Sequence, residues 1–246
     1  MSPDERGGPQ VIPRPEAIGD GGPPPWADVP PPERVITAAD LRAAFSGRVG
    51  SPSFVEEIGA VRASAVLAPF YELDGQLYTV LTRRSWDLRS HTGEVSFPGG
   101  GQDEGESLVE AALREAQEEI GLEPSTVEIL GELDHLMTIS SRSFIVPFVA
   151  LLPDVPVLEP NPSEVDAVLH VPVGELLLDE VFREERWKFA TPPPWVPADL
   201  VATDEPTERS IFFFELVGDT VWGATAAMLR HLLGTALGLG VRIDHR

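Results

Sequence analysis

The 246-residue chain has no cysteine, which excludes disulfides, cysteine nucleophiles and thiolate metal sites. That absence does not by itself set a compartment. Basic residues are scarce: 18 Lys and Arg stand against 40 Asp and Glu, a formal charge of −22. With no extended basic patch, nucleic acid is not expected as the main partner. Long apolar runs are missing too, so no segment is expected to span a bilayer, and no basic start leads into an apolar stretch. The C-terminal Arg242-Ile243-Asp244-His245-Arg246 is not a peroxisomal address. These absences leave the cytoplasm as the expected location, without a membrane partner. What is present is ordinary for one substantial core: 42% hydrophobic residues in a chain long enough to bury them.

Residues 1–33 are dominated by Pro and Gly, including Pro23-Pro24-Pro25 and Pro30-Pro31-Pro32. They present no periodic apolar face and are expected to form a disordered tail, with the folded domain over 34–246. Thr37 and Asp40 predict a capped helix through Phe45. Residues 63–73 and 76–84 flank Asp74-Gly75, a hairpin signal. Further strands are expected over 95–97, 127–137 and 144–152, a buried strand over 167–171, and a helix over 173–181. A second hairpin is expected around Gly218-Asp219, joining 210–217 to 220–222, before a helix over 224–237. The connection from Trp187 to Thr207 reads as long and irregular, and is expected to border a cleft, since such loops are often functional. Two helices covering a mixed sheet from opposite faces make an α/β/α sandwich.

The most informative segment is Gly100 to Leu122. Ser107 and Glu110 form the capping box of a helix that Gly121 can end in the left-handed conformation. Val109, Leu113, Ala116 and Ile120 fall in one stripe expected to face the core. Glu115, Glu118 and Glu119, related as i, i+3 and i+4, cluster on a face expected to lie well away from that stripe, with Arg114 alongside. Taken alone, such a helix reads as a solvated acidic face. Three crowded carboxylates also suit a hard divalent cation, magnesium or manganese. Upstream, Arg83, Arg84 and Arg89 concentrate positive charge, with His91 beside them. Guanidinium groups bind phosphate oxygens in paired hydrogen bonds, so these arginines are candidates to hold a phosphorylated ligand. The plainer alternative is that Arg83 and Arg84 flank the end of an apolar strand and His91 braces a turn.

The full spacing, Gly100, five residues, Glu106, seven residues, Arg114-Glu115-Ala116, one residue, Glu118-Glu119, one residue, Gly121-Leu122, resembles the signature of the Nudix hydrolase family. Ala116 departs from it, standing where the family usually has a bulkier aliphatic. The run Leu81-Thr82-Arg83-Arg84-Ser85, Leu88-Arg89, His91, Gly93-Glu94-Val95 and Phe97-Pro98-Gly99-Gly100 is similar to the motif of coenzyme A pyrophosphatase-type members.

The resemblance implies a Nudix-like α/β/α sandwich with a mixed central sheet. It implies that Glu115, Glu118 and Glu119 hold one or more Mg2+ (or Mn2+) ions, with Gly99 and Gly100 letting the backbone pass close by. Arg114 would orient the carboxylates, and Glu106 would brace the loop or ligate metal through water. The implied reaction is hydrolysis of the diphosphate of coenzyme A or acyl-coenzyme A, giving (acyl-)phosphopantetheine and adenosine 3′,5′-bisphosphate. Arg83, Arg84, Arg89 and His91 would contact that small-molecule nucleoside diphosphate derivative. The general base comes either from the helix or from a distant loop, where Glu164 is the candidate; its alternative is a surface glutamate in a turn. Three matters stay open: a substrate such as ADP-ribose, a dinucleotide or a nucleoside triphosphate; a regulator that binds a nucleotide without cleaving it; and a homodimer as the assembly.

Overall fold

Successive strand residues point to opposite faces, and in the two longest central strands both sets are apolar. In β2 (Arg62–Leu73), Ala65, Leu67 and Tyr71 point one way and Val66, Ala68 and Phe70 the other. In β8 (Ser143–Leu151) the same division separates Val146, Phe148 and Ala150 from Val149 and Leu151. Strands of that kind belong in the middle of a sheet covered on both sides. The computed structural model, which describes residues 6–51, 62–88, 90–137, 143–189 and 207–241, places them there. β2 pairs in parallel with β8, aligning Ser64 with Ile145, and antiparallel with β3 (Gln76–Arg84) through the expected hairpin. Asp74 and Gly75 both take positive φ, 51° and 76°, as a tight two-residue hairpin turn demands.

Around this centre, β4 (Val95–Ser96) and β9 (Val165–Pro172) pair with β3, and β5 (Gly99–Gly101) pairs with β2. β6 (Glu128–Glu132) and β7 (Leu136–Met137) pair with β8. The sheet is mixed, as expected. One face is covered by α2 (Leu108–Ile120), whose Ala111, Ala112, Ala116 and Ile120 are fully buried against Ala65, Leu67, Val80, Val146 and Phe148. The expected stripe faces this core, with Ala116 and Ile120 buried in it and Val109 and Leu113 packed half-buried at its margin. Alanines at the contact let the helix lie close to the sheet. The opposite face carries α1 (Ala38–Phe45) and α4 (Gly223–Ala236).

A second, four-stranded antiparallel sheet, in the order β1-β10-β11-β12, joins the core on that same side. Its strands are β1 (Ala17–Asp20), β10 (Phe182–Phe189), β11 (Thr207–Glu215) and β12 (Thr220–Trp222). β10 takes up the start of the connection read as irregular; residues 190–206, and with them the expected border of a cleft, lie outside the described residues. The expected helix over 173–181 is a single turn, α3 (Val173–Leu176), because the chain must straighten to bring buried Val181 and Phe182 into β10.

The disordered tail expected over 1–33 is corrected by the same sheet. Ala17 pairs with Lys188 in a β1–β10 ladder. Trp26 is fully buried, with its ring centroid 5.6 Å from that of Phe182 and 6.3 Å from that of Phe214. Arg34 then locks the segment by donating to the carbonyls of Ala27, Val29 and Leu177 and to Asp179. Order here comes from partners far along the chain, so the absence of local periodicity did not predict mobility. Residues 1–5 lie outside the described residues.

Candidate active site

The helix that carries the glutamates is held at both ends by its own sequence. Ser107 accepts from the Glu110 N–H while its own N–H donates to the Glu110 carboxylate at 2.7 Å, and Gly121 closes the last turn at φ 69°. Beneath the helix, β5 brings an all-glycine backbone against β2, pairing Gly99 with Val66 and Gly100 with Ala65. Gly99 is required by the backbone beside it, and Gly100 by the present placing of the Glu115 carboxylate. A Cβ on Gly99 (φ 153°) would stand 2.3 Å from the Ala65 carbonyl oxygen, and one on Gly100 would stand 2.4 Å from Glu115 Cδ.

Arg114 organises the carboxylates. Its Nη2 and Nε donate to the two oxygens of Glu106 at 2.8 and 3.2 Å, its Nη1 to Glu115 at 3.0 Å and Glu118 at 3.3 Å, and its Nη2 to the Gly101 carbonyl at 3.0 Å. Glu106 also accepts from the Asp103 N–H at 2.7 Å. These hydrogen bonds hold the Glu106 carboxyl below its ordinary range and raise the Arg114 guanidinium. Glu106 is thus tied into the loop.

Glu119 overturns the expectation that the carboxylates sit away from the apolar stripe. Its neighbour Ile120 and Ala116 one turn before are fully buried, and Glu119 itself is only 4% exposed. Its oxygens meet the Gly99 N–H at 3.2 Å and Arg84 Nη1 at 3.8 Å. Burial pushes this carboxyl up to about 7, reinforced by the negative charges of Glu115 and Glu164 and opposed by Gly99 and Arg84. Glu115 is raised as well, chiefly by burial, with Glu118 and Glu164 adding and Arg114 opposing.

Glu164 reaches this cluster by a route the sequence did not signal. The backbone N–H groups of Glu159 and Asn161 donate to the carbonyls of Ile120 and Glu119 at 2.9 and 2.8 Å, satisfying acceptors that a helix C-terminus leaves open. The Ser85 N–H then donates to the Glu164 carbonyl at 2.7 Å. This loop is thereby fastened to both α2 and the end of β3.

The arginine doublet divides. Arg84 faces α2, and its buried Nε has no hydrogen-bond partner among the described residues. Arg83 points to the other face, donating to Asp166 at 2.8 Å and to both oxygens of Asp219 at 2.8 and 3.1 Å. His91, with φ 55°, pairs with Glu94 at 2.9 Å within its loop. Arg89 lies outside the described residues. The structure therefore brings together Glu115, Glu118, Glu119, Arg114, Arg84, Gly99 and Gly100, fastens the loop that carries Glu164 to α2 and β3, turns Arg83 to the other face of the sheet and pairs His91 within its own loop.

The donor set matches a hard divalent cation in kind: three carboxylates, one of them buried and short of positive charge. Among the described residues no three acidic or histidine side chains converge on a point as they stand, because Glu115 and Glu118 are turned onto Arg114.

A family model for the NUDIX domain matches residues 61–191. The chain belongs to the Nudix hydrolase family. Nudix hydrolase 3 of Caenorhabditis elegans is 36% identical over 188 residues, covering 74% of this chain and 76% of that protein. The uncharacterized Nudix hydrolase NudL of Escherichia coli (strain SMS-3-5 / SECEC) is 32% identical over 211 residues, 85% of this chain and 98% of that one. Among solved structures, the NUDIX domain of Shewanella oneidensis NrtR complexed with ADP ribose aligns at 24% identity and a TM-score of 0.41, covering 58% of this chain and 87% of that one. This Nudix protein is accordingly a phosphoanhydride hydrolase, of a family that is generally dependent on divalent metal. No helix among its described residues is long and apolar enough to cross a membrane.

Proposed function

We propose that the protein hydrolyses the diphosphate of coenzyme A or an acyl-coenzyme A to (acyl-)phosphopantetheine and adenosine 3′,5′-bisphosphate. The observation that supports this most is Arg84. It lies in the run Leu81 to Gly100 that resembles the coenzyme A pyrophosphatase-type motif, and its guanidinium has Nη1 3.8 Å from the Glu119 carboxylate and an Nε without a hydrogen-bond partner among the described residues. A net charge of −22 repels a polyanionic substrate at long range, so a local cation with free donors is needed to hold it.

In this reading Glu115, Glu118 and Glu119 hold a divalent ion, which when bound neutralises charge on the diphosphate and lowers the pKa of water. Arg84 binds phosphate oxygens and orients the anhydride. Glu164 accepts the proton of the attacking water. Arg114 keeps Glu115 and Glu118 on one side of the helix, and the bare backbone of Gly99 and Gly100 leaves room above β5.

Incubation with Mg2+ and a panel of coenzyme A, ADP-ribose, NADH and nucleoside triphosphates, with products identified by mass, tests the proposal. Adenosine 3′,5′-bisphosphate from coenzyme A is the expected product. AMP from ADP-ribose alone, or binding without any product, would replace the proposal with another Nudix activity or with a nucleotide-binding regulator.

A further inference from the structure

We infer that Gln10, in the N-terminal segment outside the matched NUDIX region, is a positioning residue for Arg84 through the loop that follows it. Gln10 is 8% exposed, and both ends of its amide are engaged. Its Nε2 donates to the Gly93 carbonyl at 3.1 Å and to Asp219 Oδ1 at 2.7 Å, while its Oε1 accepts from the Thr220 N–H at 2.8 Å. Asp219, 4% exposed, is the same carboxylate that receives Arg83. One buried amide therefore joins the N-terminal segment, the β11–β12 turn, the last residues of β3 and the loop.

Gly93 is the contact that matters for the site. Its N–H donates to the Arg84 carbonyl at 3.2 Å, and the Arg84 N–H donates to the Glu94 carbonyl at 2.9 Å. With φ 66° and the Trp86 ring 2.2 Å from where a Cβ would stand, no other residue replaces glycine there without strain. The Gly93 peptide is consequently held by Arg84 on one side and by Gln10 on the other. Among the described residues, Gln10 supplies the one side chain from outside residues 85–94 that hydrogen-bonds this loop. Loss of Gln10 leaves a buried carbonyl and a buried carboxylate short of a donor, which loosens the loop rather than the distant α2 helix. The effect on substrate rests on the role given to Arg84 above.

Hydrogen exchange followed by mass spectrometry on the full chain, wild type against Gln10→Ala, tests the positioning without any substrate. The peptide spanning 85–94 is expected to exchange about tenfold faster in the variant, with α2 unchanged. Equal exchange in that peptide, or acceleration spread over the whole domain, overturns the inference. With whichever panel member the wild type hydrolyses, KM should rise about fivefold and kcat stay within about twofold. A fall in kcat at constant KM overturns it as well. Failure of the wild type to cleave coenzyme A would remove the proposed substrate while leaving the exchange result to decide the role of Gln10.

Discussion

The Gly99 backbone N–H donates to the Glu119 carboxylate at 3.2 Å, and it is the one hydrogen bond that this buried side chain receives from the glycine strand beneath it. That donor, together with Arg84 Nη1 3.8 Å away, does not offset removal of a carboxylate from water. Burial of this carboxylate therefore works against the stability of the fold.

Glu119→Gln should therefore stabilise the metal-free protein at alkaline pH. The folded carboxyl is raised from 4.5 to about 7, so the folded state binds its proton more tightly than the unfolded chain does. Its stability contribution is fully present below pH 4.5, falls as pH rises toward 7, and levels off above that. Thermal or urea unfolding across pH 4–8 should show the wild type losing about 3 kcal/mol that the variant keeps. The same variant should lose metal-dependent turnover.

Glu164→Gln separates proton transfer from metal binding. Turnover should fall about 100-fold, the usual scale for removing a general base, while the affinity for Mn2+ measured calorimetrically stays close to that of the wild type. An unchanged rate would leave Glu164 as a charged neighbour of Glu115 and Glu119 and nothing more.

Gly100→Ala places a methyl group where the Glu115 carboxylate now stands, 2.4 Å from its Cδ. Because the clash is with the end of a flexible side chain, the carboxylate can swing aside and the urea midpoint should move little. Because the clash falls on Glu115, activity should drop by about tenfold or more even where the variant is fully folded.

Trp26→Ala tests whether the N-terminal segment belongs to the core. Removing a fully buried indole from between Phe182 and Phe214 should cost about 3–5 kcal/mol in denaturant unfolding. A cost under about 1 kcal/mol would mean that the segment rests on the domain without supporting it.

Features set by neighbouring residues were legible in the sequence. The Ser107–Glu110 and Thr37–Asp40 capping boxes, the left-handed Gly121 and the Asp74-Gly75 hairpin each depend on a few consecutive side chains, and each is present. Strands followed from the apolar runs, and the mixed character of their sheet from the Nudix resemblance. What the sequence concealed depends on distant partners. Trp26 looked like one aromatic among prolines because its cage comes from Phe182 and Phe214. Glu119 looked solvated because a helical projection shows neither the β5 floor nor the loop from Glu159 to Glu164 that closes over the end of α2. Gln10 carried no signal, and Asp219 only that of a hairpin turn, since their shared contacts exist only once that turn lies beside the end of β3.

Arg83 and Arg84 are chemically identical neighbours that strand geometry sends to opposite sides of one sheet, and the β3–β9 register shifts between them. A one-residue slip in a strand exchanges every side chain between faces. Here such a slip would put Thr82 or Ser85 into one of the two places and carry an arginine to the wrong face. Charge and packing therefore select the same alignment of this strand. Leu77 and Leu81 on one side and Val80 on the other hold it, so that buried aliphatic residues help decide which arginine faces α2.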